Sequence, residues 1–423
     1  MPARRAAARL LAYVFGAGAA VTGARAAAAV MVGAVGGGWP APRDGGGRFT
    51  NPWESWTGDK RLGDVFEFGR QMRALGVPNW GHLTANRRPS RKDMRAAFPL
   101  HAPDYPAVAA PPPGSLAALW AGHASVLFSL DGLALLTDPV FARRASPLRW
   151  LGPERAVPAP VAVEDPGLRV DAVLISHNHY DHLCDETVKR LHRRFGPGLA
   201  WYVPLGLAGW FRRRGIANVT ELDWWQEVQH PGSKVRLVLT PAQHWSARTP
   251  FDTRRTLWGG WAALGERRRF WFAGDTGHAP GLFEEIGQRL GPFDLAAIPI
   301  GAYEPRGFMA PQHVGPREAV AIHRAVRARR SIGVHCCTFH LTLEPLDEPP
   351  ALLASEAAAA GLAPDEFVVL QHGATITVRD GEILTAPLHT LPLPAPAAAA
   401  AARPTPGAAI EANPGGSGGG GEL

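Results

Sequence analysis

Cysteine is scarce in this chain: Cys184, Cys336 and Cys337 are the only three in 423 residues, and the last two are neighbours. A disulfide between adjacent residues is strained, so a disulfide framework is excluded and a hydrophobic core must hold the fold. Acidic residues are missing before Asp44, while Arg4, Arg5, Arg9, Arg25 and Arg43 precede it. Long apolar runs are missing as well. The stretches 10–21 and 26–35 are rich in Ala and Gly, and each is too short and too weakly hydrophobic for a convincing membrane span. Such an Arg-rich, acid-free segment reads as a signal peptide cut near 24–26, as an organelle transit peptide, or, with both stretches combined, as a poor anchor. Residues 1–45 are therefore set apart as a targeting or weak anchor segment. From 391 to 423 Ala, Pro and Gly dominate, with too little apolar bulk to offset ordering entropy, and this tail is expected to be disordered. Without internal repeats, 46–390 is left as the folded unit.

What is present narrows the chemistry. A hydrophobic content of 46% suffices for one large α/β domain or two small ones. Sixteen His beside three Cys favour nitrogen and oxygen metal ligands over thiolates. The net charge is +7, and arginines come in runs at 143–144, 193–194, 212–214, 267–269 and 329–330. Two readings stay open for them: a solvated face, or an attraction to phosphate in lipid headgroups or nucleic acid.

Short apolar runs predict strands at 116–120, 125–130 and 133–137, with Asp131-Gly132 as a hairpin turn. Further strands are expected at 171–176, 235–240, 257–264, 269–273, 295–300, 331–334, 367–370 and 375–378. Helical spacing marks 185–195, with Asp185 as its N-cap, then 281–290, 316–329 and 349–360. Hairpins first, then strands alternating with helices, imply an α/β fold of two sheets sandwiched between helices.

Directly after the strand at 171–175 lies Ser176-His177-Asn178-His179-Tyr180-Asp181-His182. A strand that ends in a loop projects side chains in several directions from a rigid base. Three His and one Asp within six residues are a dense supply for a cation such as zinc, which favours imidazole nitrogen and carboxylate oxygen at about 2.0–2.2 Å. His177 and His179 can face one metal, Asp181 and His182 a second. His244, Asp275 and His335 each follow a later strand. Taken singly each is an ordinary loop or capping residue; together, at strand ends behind the first motif, they point to one metal centre.

With this pattern the chain resembles the metallo-β-lactamase superfamily, whose signature is His-x-His-x-Asp-His followed by a distant His, Asp and His. Within it the likeness is to N-acyl-phosphatidylethanolamine-hydrolysing phospholipase D and its bacterial relatives. It is carried over about 48–380 by Arg48-Phe49-Thr50-Asn51-Pro52-Trp53, Trp120-Ala121-Gly122-His123-Ala124-Ser125, Leu136-Thr137-Asp138-Pro139-Val140-Phe141 and His177-Asn178-His179-Tyr180-Asp181-His182-Leu183. Gln243-His244-Trp245-Ser246-Ala247-Arg248, Gly301-Ala302-Tyr303-Glu304-Pro305-Arg306, Gln312-His313 and the run from His335 to Pro350 continue it.

The resemblance implies an αββα sandwich of two mixed sheets flanked by helices, and two zinc ions per chain. His177, His179 and His244 would hold one, Asp181, His182 and His335 the other, and Asp275 would bridge both. It further implies hydrolysis of N-acyl-phosphatidylethanolamine to N-acylethanolamine and phosphatidic acid, by a water whose pKa the two ions lower to about 7. Asp181, Asp275, Gln312 and His313 are the residues expected at the reacting centre, Gln312 and His313 in a polar or proton-transfer role. For His313 the alternative is a helix-start histidine satisfied by backbone. His123 and Asp138 are expected to orient ligands rather than bind metal. Two departures touch the pocket: Cys336-Cys337 replaces an aromatic residue and Gly, and Gly307 replaces Trp. Cys184 adds a soft donor near a set already complete.

A phospholipid substrate calls for peripheral attachment to a membrane, and nucleic acid is not an expected partner. The segment 205–214, with Trp210, Phe211 and three arginines, fits either that attachment or a buried amphipathic helix. The related enzymes suggest a homodimer. Rival readings are a lactonase or another phosphodiesterase on the same scaffold, and a metal-free binding protein descended from an enzyme.

Overall fold

The computed structural model describes residues 32–35, 40–57, 62–74 and 91–392. Most of the expected leader and the expected tail lie outside these residues. Among the described residues the strands form two eight-stranded sheets. One contains β2 (Leu116–Gly122), β3 (Ser125–Leu130), β4 (Leu133–Thr137), β5 (Ala172–Leu174), β6 (Ala200–Pro204), β7 (Val219–Leu222), β15 (Thr375–Arg379) and β16 (Glu382–Ile383). Its order is β16-β15-β2-β3-β4-β5-β6-β7. The other contains β1 (Val32–Ala34), β8 (Gln226–Gln229), β9 (Arg236–Thr240), β10 (Gly260–Leu264), β11 (Arg269–Phe272), β12 (Leu295–Pro299), β13 (Ser331–Val334) and β14 (Phe367–Val368), in the order β1-β8-β9-β10-β11-β12-β13-β14. Each sheet is mixed. Hairpin-linked strands pair antiparallel in one half, and β4-β5-β6-β7 and β11-β12-β13-β14 pair parallel in the other. Two mixed sheets with helices outside them are the αββα sandwich.

The helices are α1 (Leu62–Ala74), α2 (Arg91–Ala97), α3 (Tyr105–Ala109), α4 (Asp185–Phe195), α5 (Ala208–Arg212), α6 (Leu282–Leu290), α7 (Arg306–Met309), α8 (Pro316–Ala325) and α9 (Glu348–Ala359). The central strands are buried on both faces, and their residues divide by parity. Ala118, Trp120, Val126 and Phe128 face the second sheet, where Phe128 stacks on Phe270 at 4.0 Å. Leu119, Ala121, Leu127, Val173 and Trp201 face outward, under Val188 and Leu191 of α4 and Phe211 of α5. Asp131 and Gly132 both take positive φ, 48° and 81°, as a tight two-residue hairpin requires.

Two local expectations are corrected, and one open alternative is decided. The chain enters the fold before residue 46: β1 pairs with β8, Ala41 is buried, and its N–H donates to Asp223 Oδ1 at 3.0 Å. A three-residue Val-Gly-Ala strand inside an Ala/Gly run has no period to reveal it. Asp185 is the first helical residue of α4, not its cap; Cys184 holds that position and the Asp185 carboxylate accepts from Lys189 Nζ at 2.6 Å. Trp210 and Phe211 are buried against Trp201 and one another, so the apolar part of 205–214 belongs to the core. No helix among the described residues is long and apolar enough to cross a membrane.

Candidate metal centre

The ends of β5, β9, β11 and β13 meet at one place. β5 is fastened there by Trp261 Nε1, which donates to the Ile175 carbonyl at 2.9 Å, and by Gly259 N–H, which donates to the Ser176 carbonyl at 3.0 Å. The stretch 177–183 that follows is held by Arg248, whose Nη1 donates to the carbonyls of Asn178 and Leu183 at 2.9 and 2.8 Å. Arg248 also lies over the Tyr180 ring at 4.0 Å, so Tyr180 packs rather than reaching the centre. Gly274, at φ 63°, turns the chain sharply after β11 to present Asp275; a Cβ there would meet the Gly259 carbonyl oxygen at 2.8 Å.

All seven expected ligands converge. Ring nitrogens of His177, His179 and His244 form one group, and Asp181, His182 and His335, joined by His123, form another. His177 Nε2 and His244 Nε2 lie 2.8 and 3.3 Å from His179 Nδ1. Tetrahedral nitrogen ligands about 2.0–2.1 Å from one ion sit about 3.3 Å apart, so this spacing fits a shared cation. Asp275 Oδ2 is the hub between the groups. It lies 3.0 Å from His182 Nε2 and 3.1 Å from His335 Nε2, and 3.8 Å from both His177 Nε2 and His244 Nε2.

Several of these buried atoms have no hydrogen-bond partner: His182 Nε2, His335 Nε2 and Asp275 Oδ1. Each such orphan costs about 1–3 kcal/mol, and several of them in one cluster are what a bound cation would satisfy. The residues fit a metal.

Behind the donors, acceptors fix the rings. His182 Nδ1 faces Asp138 Oδ2 at 2.7 Å and His244 Nδ1 faces the Gln312 carbonyl at 2.9 Å, so each ring donates backward and leaves Nε2 free to bind forward. Asp138 also accepts from the Ser176 backbone N–H at 2.7 Å and from its hydroxyl at 2.5 Å. His123 Nε2 lies 3.0 Å from Asp181 Oδ2, and its ring lies 4.1 Å from that of His335. Its place inside the second donor group is closer than its sequence position suggested. His123, Asp138 and His335 all hold positive φ, at 54°, 31° and 57°. Such strain, of order 1–3 kcal/mol per residue, clusters where a site dictates side-chain direction. Gln312 contributes its carbonyl, while its side-chain amide contacts Met309 Sδ at 3.4 Å. His313 Nδ1 lies 3.9 Å from Asp275 Oδ2 and has no hydrogen-bond partner.

Burial governs the charge states. It presses the His123 and His244 rings down to about 3 and His179 to about 4, and it holds His177 and His313 well below the ordinary histidine value. At His335 burial acts in the same direction, but the Asp275 and Asp181 carboxylates outweigh it and raise that ring to about 9; His182 is raised for the same reason. Burial opposes ionisation of Asp181 and Asp275 too, and the surrounding imidazoles nonetheless hold both well below the usual carboxylate range.

Removing the support behind His182 tests its role. Asp138→Ala is expected to weaken metal affinity about 10–100-fold, read by competition with a chelating dye, with the fold kept by circular dichroism. Unchanged affinity would show that the carboxylate does not orient the ring.

Residues 134–336 match a family described as the Beta-lactamase superfamily domain. The chain is 41% identical over 324 residues to N-acyl-phosphatidylethanolamine-hydrolyzing phospholipase D 1 of Caenorhabditis elegans, covering 72% of this chain and 86% of that protein. It is 31% identical over 337 residues to the mitochondrial N-acyl-phosphatidylethanolamine-hydrolyzing phospholipase D of Saccharomyces cerevisiae, covering 72% and 70%. Among solved structures, the metallo hydrolase Igni18 of Ignicoccus hospitalis aligns with a TM-score of 0.47 at 20% identity, over 62% of this chain and 98% of its own.

Proposed function

This chain belongs to the metallo-β-lactamase superfamily of metal-dependent hydrolases, and from that premise we propose a phospholipase D-type phosphodiesterase acting on N-acyl-phosphatidylethanolamine. The observation that carries the reading is the 41% identity over 86% of the Caenorhabditis elegans phospholipase, joined to a donor set from which no expected ligand is missing. The proposed ligands are His177, His179 and His244 for one zinc, Asp181, His182 and His335 for the other, with Asp275 shared.

Zinc bound there would supply an acidified water and offset charge developing on the phosphoryl oxygens. The chain's own residues then divide the remaining work. Asp275 sets the spacing of the two donor groups through Oδ2. Asp138 and the Gln312 carbonyl keep His182 and His244 in the binding tautomer. Water adds to phosphorus, the bond from phosphorus to the N-acylethanolamine oxygen breaks, and that oxygen takes up a proton. His313 Nδ1, buried, neutral and close to the shared carboxylate, is the atom we assign to take the proton the water gives up and pass it to that oxygen. In-line displacement leaves phosphatidic acid as the second product.

The test is incubation of metal-loaded protein with N-acyl-phosphatidylethanolamine, with and without chelator. Release of N-acylethanolamine and phosphatidic acid that chelation abolishes and zinc restores is expected. Cleavage of lactones without cleavage of this lipid would overturn the substrate reading in favour of the lactonase.

Metal uptake should also move protons. In the metal-free centre His335 titrates at about 9 and His182 is raised in the same direction, so both rings are protonated near neutral pH. Coordination requires the neutral ring, so zinc titration in weak buffer should release protons, with the His335 share fading as pH rises through about 9. The stability sign follows. His335 is raised above its unfolded value, so its contribution is full below about 6.5 and is lost as pH rises through about 9 in the metal-free protein. A pH-stat titration reads the first effect; no release near neutrality would mean that the rings bind no metal.

A further inference from the structure

We propose that two loop tips beside the donor cluster, 146–152 and 247–253, seat this protein on an anionic phospholipid surface, with Trp150, Leu151 and Phe251 entering the interface. The inference rests on the proposed lipid substrate and deepens it by naming the surface that meets the bilayer.

Large apolar side chains are left in water at both tips. Trp150 is 74% exposed, Leu151 54% and Phe251 82%. Single exposed apolar residues are common on proteins, so position and rigidity must carry the argument. The first tip lies on the excursion that follows Asp138, and the second follows His244.

Both are tied to the stretch that bears His177 to His182. Arg248, at the base of the second loop, donates to the carbonyls of Asn178 and Leu183. On the first loop Arg149 pairs with Glu186 at 3.4 Å in the opening turn of α4, and Ala145 packs with Cys184 and Phe339. The tips therefore flank the donor loop.

Neither tip is held out by slack chain. Asp252 Oδ1 accepts from the N–H groups of Arg248 and Thr249 at 3.0 and 2.7 Å and from the Thr249 hydroxyl at 2.9 Å, closing the loop under Phe251. Across the base of the other, Ala145 N–H donates to the Pro153 carbonyl at 3.0 Å and Arg144 Nη1 donates to the Gly152 carbonyl at 2.6 Å. An internally braced turn that still points Trp or Phe outward gives up solvation entropy without burying the ring, and a bilayer interface recovers that loss.

Charge selects the kind of surface. Residues 143–154 hold Arg143, Arg144 and Arg149 against Glu154, and Glu186 faces Arg149 from α4, so three positive charges meet two negative ones and leave +1. Arg143 and Arg144 share the Glu154 carboxylate, each at 2.5 Å. Trp flanked by arginine is the side-chain pairing that settles at headgroup depth, the ring in the boundary and the guanidinium on lipid phosphate. The seat so formed brings the donor loop to the height of the phosphodiester.

The experiment uses the full, metal-loaded chain and flotation with vesicles of phosphatidylcholine containing phosphatidylglycerol and no N-acylated lipid. The wild type is expected to bind, and to bind less as salt rises. W150S/F251S is expected to weaken partitioning about tenfold or more, and R149Q about fivefold, on phosphatidylglycerol only. Both variants should melt as the wild type does and should turn over a monomeric short-chain N-acyl-phosphatidylethanolamine at the wild-type rate.

Wild-type protein that stays off the vesicles, or a W150S/F251S chain that binds them unchanged, overturns the proposal. So does a wild-type dimer that W150S/F251S converts to monomer with vesicle binding intact, since the tips would then be a contact between copies. Intact vesicle binding that these variants abolish, with no cleavage of any N-acylated phosphatidylethanolamine, sustains the docking surface and removes only the substrate reading.

Discussion

Asp275→Asn is expected to lower kcat for phosphodiester cleavage roughly a thousandfold while the chain stays folded. The magnitude follows from the number of groups that meet at one oxygen. Asp275 Oδ2 lies within 3.1 Å of the His182 and His335 rings and 3.8 Å from the His177 and His244 rings, so one oxygen reaches both donor groups. Asparagine keeps the shape and removes the charge. On the proposed two-ion reading, a neutral amide between the donor groups would leave the repulsion of the cations uncompensated, so one site or both should empty. Metal content should fall together with kcat, and the thermal melt of metal-free protein near neutral pH should fall as well, since the buried His182 and His335 rings lose the carboxylate that holds them protonated. Near-normal turnover with full metal content would refute the shared role.

Trp120→Ala is expected to destabilise the protein by about 3–5 kcal/mol, the range for deleting a buried indole. Trp120 is fully buried between the sheets, stacks on His372 at 4.4 Å and donates from Nε1 to the His123 carbonyl at 2.9 Å. Deleting it leaves a cavity and removes one of the two hydrogen bonds that carbonyl accepts, the other coming from the His335 N–H at 3.0 Å. It also frees the turn that holds His123 at positive φ. A urea titration should give the loss in metal-free and loaded protein alike. A change below about 1 kcal/mol would mean that the sandwich collapses around the missing ring, against the close packing the two sheets imply.

Local chemistry was the part that could be read along the chain. The Asp131-Gly132 hairpin, the three strands around it, α4, α6 and β13 follow from turn residues and apolar spacing, and they appear within a residue or two of the expected bounds. The donors were legible because each stands at the end of an apolar run, where only a polar purpose explains a cluster of His and Asp. Features that depend on a distant partner were not. β1 exists only because β8 offers an open edge, and β6, β7 and β8 are short strands whose pairing supplies what their composition does not. Trp210 and Phe211 fit a surface motif or a buried helix equally well in sequence, and only Trp201 of a neighbouring strand, which receives Phe211, decides for the core. His123 sits on a hairpin 58 residues from Asp181, and only the closure of that turn by Thr338 Oγ1, 2.7 Å from the His123 N–H, brings the two together.

One carboxylate stands behind both halves of the centre. Asp138 receives His182 from the second donor group, and through the Ser176 hydroxyl, itself 2.9 Å from His177 Nδ1, it reaches the first. On the proposed two-ion reading the ions would therefore not load independently. Whichever arrives first stiffens Asp138 and Ser176 and so prepares the other ring, and stepwise titration should approach a single cooperative transition rather than two separate plateaus. Cells short of metal would then hold this protein as a mixture of empty and doubly loaded molecules, with few carrying a single ion.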